Sequence, residues 1–518
     1  MKEHGLFRLV IGSALLFAAA LTLWAAAGVD ATQQAPFPEI IVVNSTGDGD
    51  DAFPGDGQCE TAVGNGMCTL RAAIEEANAH AGADGIYFSI PSSDPGYSNG
   101  TWTIRPKTAL PNVADSINIS GPGASQLVVF PYYTSYRCFK VTTTGTVTFS
   151  GLTMYEGIVQ NDFGGGVYNA STGTVNINNC TLSNNESFGS SAGGGAVYNA
   201  TTGTVNISNS LITRSYAQNR GGAIYNNTGT ITISSSTLTE NYTGHPPGGY
   251  SSAEGGAVFS YLGSLNVVNS TFSYNTSGDG GAIYSSGSTT TISGSTLNAN
   301  FADTSGFEQG GGGIFIQGGT TNVVNSTLSG NGVLTFYGGG GGAILADGGT
   351  LNLTNSTVAN NSVFGRETEG GGGVLSYARV NVKSTIIASN SAQASPFYSP
   401  SGAAGPDVQG FVSSSGFNLI GQKDGSNGFT AATDKKGTIA SPLNPKLDPK
   451  GLRSNGGPTQ TVALMSGSPA IDKGTSNGLT GTLTTDQRGF ARTVDNSGIA
   501  NPTGGDGTDI GAYEFGAQ

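Results

Sequence analysis

The chain runs to 518 residues, enough for several folding units or one long repeat array. Glycine supplies 84 of them, charged residues only 11%, and the net charge is −13. The lack of a Gly-X-Y period excludes collagen, the apolar share excludes a disordered chain, and the acidic balance argues against nucleic acid as a partner.

The first segment joins Lys2 and Arg8 to an apolar run over 9–27, and small residues follow around Val29, Asp30 and Ala31. That order is expected of a secretory signal peptide, placed at 1–31, although the run is also long enough to act as an uncleaved anchor. No later segment is apolar enough to cross a membrane. The expectation is a secreted or cell-surface protein with no membrane span in its mature part.

Residues 32–130 read as an N-terminal cap and first turns. The loop "GDGDDAFPGDGQC" gathers Asp48, Asp50, Asp51 and Asp56, hard oxygen donors that make calcium the one compatible cofactor. The spacing is not that of an EF-hand, and Asp-Gly pairs form turns unaided. Export permits disulfides, and Cys59 and Cys68 bracket a short glycine-rich loop as the expected pair. Cys138 and Cys180 fall on different strands and are left unpaired. Thr69 is placed to cap a short helix from Leu70 to Ala79, with Leu70, Ile74 and Ala77 on one face. Such a helix covers the open first turn of a solenoid.

Residues 131–395 hold a repeat. An aliphatic residue after a glycine pair recurs at Val167, Val197, Ile224, Val258, Ile283, Ile314, Ile344 and Val374, in steps of 25 to 34 residues. A second landmark falls at Leu182, Ile212, Leu238, Phe272, Leu297, Leu328, Val358 and Ile386. Three residues beyond it stand Asn185, Ser215, Asn241, Asn275, Asn300, Asn331, Asn361 and Ser389. Phe139, Val147 and Met154 form a fainter earlier copy. Stretches such as "TVNIS" and "TITIS" alternate apolar and polar residues, and "NATTGT" or "NNTGT" separates them. A unit this short cannot bury its own apolar face, whereas stacked copies can. The fold class expected is all-β, a right-handed parallel β-helix of the pectin-lyase type. The glycines supply corners, the asparagines an amide ladder along the axis, and the uneven lengths place variable loops along one edge. From about Ser395 the period is lost, so 396–518 is expected to be an irregular C-terminal cap.

These motifs resemble known families. "GGAIY" with "FSYN" is similar to the repeats of chlamydial polymorphic outer-membrane proteins, which are adhesin-like β-helices. Cys68-Thr69-Leu70-Arg71-Ala72-Ala73 resembles the CSLREA motif of bacterial secreted proteins, with alanine at 72 in place of the motif's glutamate. "SNGGPTQT", "SPAID", "DQRG" and "DIGAYE" look like the choice-of-anchor Q region of bacterial surface β-helices. The resemblance implies a secreted or surface right-handed β-helix, with outer membrane among its expected associations, and no particular chemistry.

Chemistry has few places to reside. Arg220, Glu254 and Asp279 precede the glycine pair on three successive copies and should stack; His245 lies in the long loop before Glu254. They form the catalytic candidates of an alternative reading, a polysaccharide lyase or glycoside hydrolase. Close carboxylates suit acid catalysis, but solvated corner residues forming a surface ion pair are the favoured reading, because spacing alone is weak warrant. Tyr168, Tyr198, Tyr225 and Tyr284 lie on one column with Phe259 and Phe315, as a platform for sugar rings or as a packing ladder. The sequence favours a non-catalytic, adhesin-like or matrix-contacting protein, whose partner is a surface polysaccharide or another cell-surface protein.

Overall fold

The computed structural model describes residues 39–131, 135–244, 253–304, 309–335, 339–365, 370–394 and 405–518. The signal-peptide expectation for 1–31 and the candidate His245 lie outside them.

A typical turn is built from four short strands, as in Ile224–Asn227, Thr230–Ser234, Thr237–Thr239 and Tyr242–Thr243; in two later turns the first two run together as Ile314–Val324 and Ile344–Thr354. The first two columns of strands belong to one 21-stranded sheet, the third to a 14-stranded sheet and the fourth to a 9-stranded sheet. Each strand pairs in parallel with its copy one turn away. Phe139 meets Val167, and the column continues through Val197, Ile224, Val258, Ile283, Ile314, Ile344 and Val374 to Val408. This is a parallel β-helix, and its register is the one the first landmark predicts.

Alternation within each strand puts every second side chain inside. Ile224, Ile231, Ile233 and Leu238 are each fully buried and belong to one continuous apolar cluster along the coil. Left-handed residues bend the chain between strands. Asn209 and Asn269 have φ of 48° and 49°, where asparagine is tolerated better than most residues. At the glycine pair, Gly221 has φ +59°, and a Cβ on Gly222 would lie 2.3 Å from the Gly256 carbonyl oxygen.

The amide ladder runs inside the third corner. Asn241 Nδ2 donates to Asn275 Oδ1 at 3.0 Å, and the chain continues through Asn300, Asn331 and Asn361. The next rung corrects the sequence alignment: Asn361 Nδ2 donates to Asn390 at 2.9 Å, not to Ser389. Val358 likewise pairs with Ile387, while Ile386 pairs with Thr357. The corner between Ser376 and Arg379 is one residue shorter than its predecessor, since Ala346 pairs with Ser376 but Thr350 with Arg379. Ser389 takes the left-handed bend, φ 64°, that Asn360 takes one turn earlier at 61°. A second ladder, absent from the sequence reading, links the backbone N–H of Cys180, Ser210, Ser236, Ser270 and Ser295 to the next hydroxyl, each at 3.1 Å. These bonds satisfy polar groups that apolar packing would otherwise strand.

At the N-terminal end the helix spans Leu70–Ala79, with the Thr69 side chain accepting from the Ala72 N–H, as expected. Leu70, Ile74 and Ala77 are fully buried in the apolar cluster of the coil. Cys59 and Cys68 form a disulfide, while Cys138 and Cys180 are free and buried.

At the C-terminal end, parallel pairing continues beyond 395: Val408–Gly410 and Leu419–Ile420 add to the sheets, and Lys435–Lys436 follows. The remaining irregular segment turns back along the flank of the 14-stranded sheet. Thr459 Oγ1 donates to the Gly294 carbonyl, Asn325 Nδ2 to that of Thr485, and Asn355 Nδ2 to that of Thr475. Thr296, Thr327 and Thr357 are accordingly buried beneath it. Leu464, Ala470, Ile471 and Ile510 pack with Ile386, Ala388 and Leu419.

Candidate ligand-binding groove

The corner residues stack as their spacing predicts. Parallel bridges join Phe163 to Gly193, Gly193 to Arg220, Arg220 to Glu254 and Glu254 to Asp279. Arg220 Nε lies 2.7 Å from Glu254 Oε2, so the guanidinium and the carboxylate neutralise one another. Arg220 keeps about half of its side chain in solvent (49%), while Glu254 keeps 17%. Asp279 is 7% exposed. The three candidates are thus brought together, as an ion pair with a buried carboxyl behind it.

The tyrosines form one column on the outward side of the first strands. Ring centroids of Tyr168 and Tyr198, Tyr198 and Tyr225, and Tyr225 and Phe259 are 5.0 to 5.2 Å apart, and Tyr284 lies against Phe315 at 4.7 Å. Tyr198, Tyr225 and Tyr284 are only 6%, 8% and 2% exposed. Their ring faces are occupied by one another, which is the packing role. Burial pushes the Tyr198 phenol up to about 12. Burial, then Glu254 and Asp279, raise Tyr284. Tyr168, at the start of the column, is half-buried and is the candidate whose ring remains partly accessible.

Two open clefts lie beside this column. The first, about 320 Å³, has Asn112, Tyr136, Arg137, Lys140, Gln160 and Asp162 on its walls. The second, about 430 Å³, has Phe163, Ser190, Ser191, Asn219, Arg220 and Tyr225. Arg137 forms an ion pair with Asp162 and donates to the Phe163 carbonyl at 3.1 Å. Above the Tyr168 ring sit both Arg137, at 4.8 Å, and Lys140 Nζ, at 5.6 Å. Cys138 also borders the first cleft, but its thiol faces the core, 3.7 Å from the Val129 carbonyl, where burial pushes it up to about 12 and keeps it protonated. Arg137 and Lys140 escape the sequence reading because they precede the clear repeats; the signal that could have found them is the faint first copy at Phe139, which places Lys140 in register with Tyr168.

The acidic loop near the N-terminus does not converge on a cation. Asp48 binds Arg71 at 2.9 Å and accepts from the Lys107 N–H, and Asp56 accepts from the Gln58 N–H. Asp51 accepts from the Glu60 N–H, and burial pushes it up to about 6. Asp50 is exposed, 3.6 Å from Arg71. Among the described residues no group of three His, Cys, Asp or Glu side chains is arranged to hold a metal ion, and no helix is long and apolar enough to cross a membrane.

No family model, curated protein or solved structure matches the chain.

Proposed function

We propose that this protein is an exported, non-catalytic β-helix whose flank contacts carbohydrate of a matrix or cell surface. The observation that carries this reading is the state of the carboxylates. Glu254 is taken by Arg220 and Asp279 is buried, while the open clefts offer one acid, Asp162, already held by Arg137. Hydrolysis of a glycosidic bond requires two carboxyl groups flanking it, one of them able to give a proton. The clefts instead present amides, hydroxyls and ring faces, the groups that hold a sugar without cutting it. The apolar leader at 9–27 supports export, and the CSLREA-like and choice-of-anchor Q-like motifs support a place among bacterial surface β-helices.

A second reading has a specific observation behind it. Arg137 and Lys140 stand together in an open cleft, and a uronate lyase needs a base and a cationic neighbour. The test is a cleavage screen of the purified chain on pectins, alginate, xylans and neutral glucans, with calcium present, read as reducing ends and unsaturated products. The expected result is no cleavage. Products lost in a Glu254→Gln/Asp279→Asn variant would establish a hydrolase at that stack, and unsaturated products lost in Lys140→Gln would establish a lyase.

A further inference from the structure

The two clefts follow one another along the coil. Asp162 borders the first, and the next residue, Phe163, borders the second. From Phe163 the corner column climbs one rung to Gly193 and one more to Arg220, so Phe163 and Arg220 are separated by roughly 10 Å along the axis. The clefts therefore lie one after the other along the axis; taken together as a groove across successive turns, they suit an extended polymer better than a compact ligand.

The charge of this groove runs against that of the protein. The chain carries −13 overall, yet Arg137, Lys140 and Arg220 line the groove. Arg137 is answered by Asp162 and Arg220 by Glu254. Lys140 has no carboxylate within 4.0 Å among the described residues and rests over the Tyr168 ring. One cation is left over at one end. Beyond it, Gln160, Asn112, Ser190, Ser191 and Asn219 offer hydrogen bonds, and Phe163 offers an apolar surface. An ammonium beside an aromatic ring, with neutral donors and acceptors farther along, matches a sugar chain bearing carboxylates.

We infer that the groove binds an acidic polysaccharide, a uronate-bearing chain laid along the coil axis, with the Lys140 ammonium meeting a carboxylate. The inference rests on the carbohydrate-contact reading above and names its ligand class. Non-specific attraction is not an alternative source of such binding, because the net charge of the protein repels polyanions.

The test is affinity electrophoresis of the purified chain through gels containing polygalacturonate, its fully methyl-esterified counterpart or a neutral glucan. Lys140→Gln and Lys140→Glu run beside the wild type, with circular dichroism to confirm folding. Lys140 lies on an outward position of its strand, half-buried and in register with Tyr168, so both variants should fold. The expected result is retardation by polygalacturonate alone, weakened about tenfold in Lys140→Gln and abolished in Lys140→Glu. Equal retardation by the esterified and neutral polymers would overturn the acidic ligand while keeping the carbohydrate reading. Retardation unchanged in Lys140→Glu would overturn the placement of the site. No retardation by any glycan would overturn both. Cleavage of polygalacturonate during the run would overturn the non-catalytic reading and leave the ligand class standing.

Discussion

The coil and the segment that folds back along its flank bury polar groups in opposite ways. In the coil, rows of neutral amides and hydroxyls repeat from turn to turn, and each rung resembles the next: Asn275 to Asn300 is 2.8 Å and Asn300 to Asn331 is 2.9 Å. In the flanking segment, charged groups make single, unrepeated contacts. Arg492 is fully buried; it donates to the Gly511 carbonyl at 3.0 Å, binds Asn325 of the coil, and lies 3.9 Å from Glu514. Arg488 pairs with Asp486 at 2.6 Å and lies over the Tyr513 ring. Gln487 bridges the two regions, its Nε2 donating to Thr296 and Thr459 and its Oε1 accepting from Thr327. A ladder distributes a local loss over neighbouring rungs, whereas a one-of-a-kind ion network has no substitute for a missing partner.

The largest effect that would break this contrast is expected at Arg492. Replacing it by methionine leaves the Thr485 and Gly511 carbonyls and the Asn325 amide oxygen buried without their donor and should cost about 3–5 kcal/mol, at about 1–3 kcal/mol for each stranded group. Hydrogen exchange should then show loss of protection over 440–518 with the coil strands still protected. Equal loss along the whole coil would mean that the two regions are a single cooperative unit.

Next comes pH. Burial raises Asp509 to about 7, and burial with the Asp509 charge raises Glu514 further. A carboxyl whose folded pKa lies above its unfolded value binds its proton more tightly in the folded state. Its contribution is therefore complete below the unfolded pKa and is lost as pH rises through the folded one. The flanking segment should weaken by about 2–4 kcal/mol between pH 4 and pH 9. Urea denaturation at pH 4, 7 and 9, followed by proteolysis of the C-terminal segment, measures it; a gain on going from pH 4 to 9 would contradict the burial of these carboxyls.

A smaller effect is expected for Asn300→Ala in the middle of the ladder. It removes an amide that donates to the Phe272 carbonyl and to Asn331 and accepts from Asn275, a loss of about 1–3 kcal/mol. Exchange should rise at the adjacent rungs alone. The smallest effect belongs to Arg214, whose ion pair with Glu240 at 2.6 Å lies in solvent. Arg214→Gln should leave the melting temperature unchanged. A clear drop would show that charge outside the coil matters as much as charge in the flanking segment.

Much of the coil was legible in the sequence because its physics is local and repeated. Period-two apolar residues, glycine corners and inward asparagines each recur at the same place in every unit, so the register from Val167 to Val374 follows from alignment alone. Where one corner lost a residue, the "ST" landmark slipped and pointed to Ser389, although Asn390 carries the ladder. The stack of Arg220, Glu254 and Asp279 was legible as a column, but not its state. Pairing with Arg220 and the burial of Asp279 depend on side-chain geometry that spacing does not contain. The groove was not legible, because Arg137, Lys140, Phe163 and Arg220 fall along one flank only after four turns are stacked.

By itself, the sequence determined the coil, its capping helix and its one disulfide, since periodicity, a capping threonine and a short cysteine loop act within one turn or between neighbouring turns. Tertiary structure alone decided where the last eighty or so residues go and which side chains remain open to a ligand. Those outcomes depend on contacts between segments more than 100 residues apart, such as Asn325 with Thr485 and Asn355 with Thr475. No local pattern records such pairings, because each occurs once and is selected by the shape of a surface that exists only when the coil is complete.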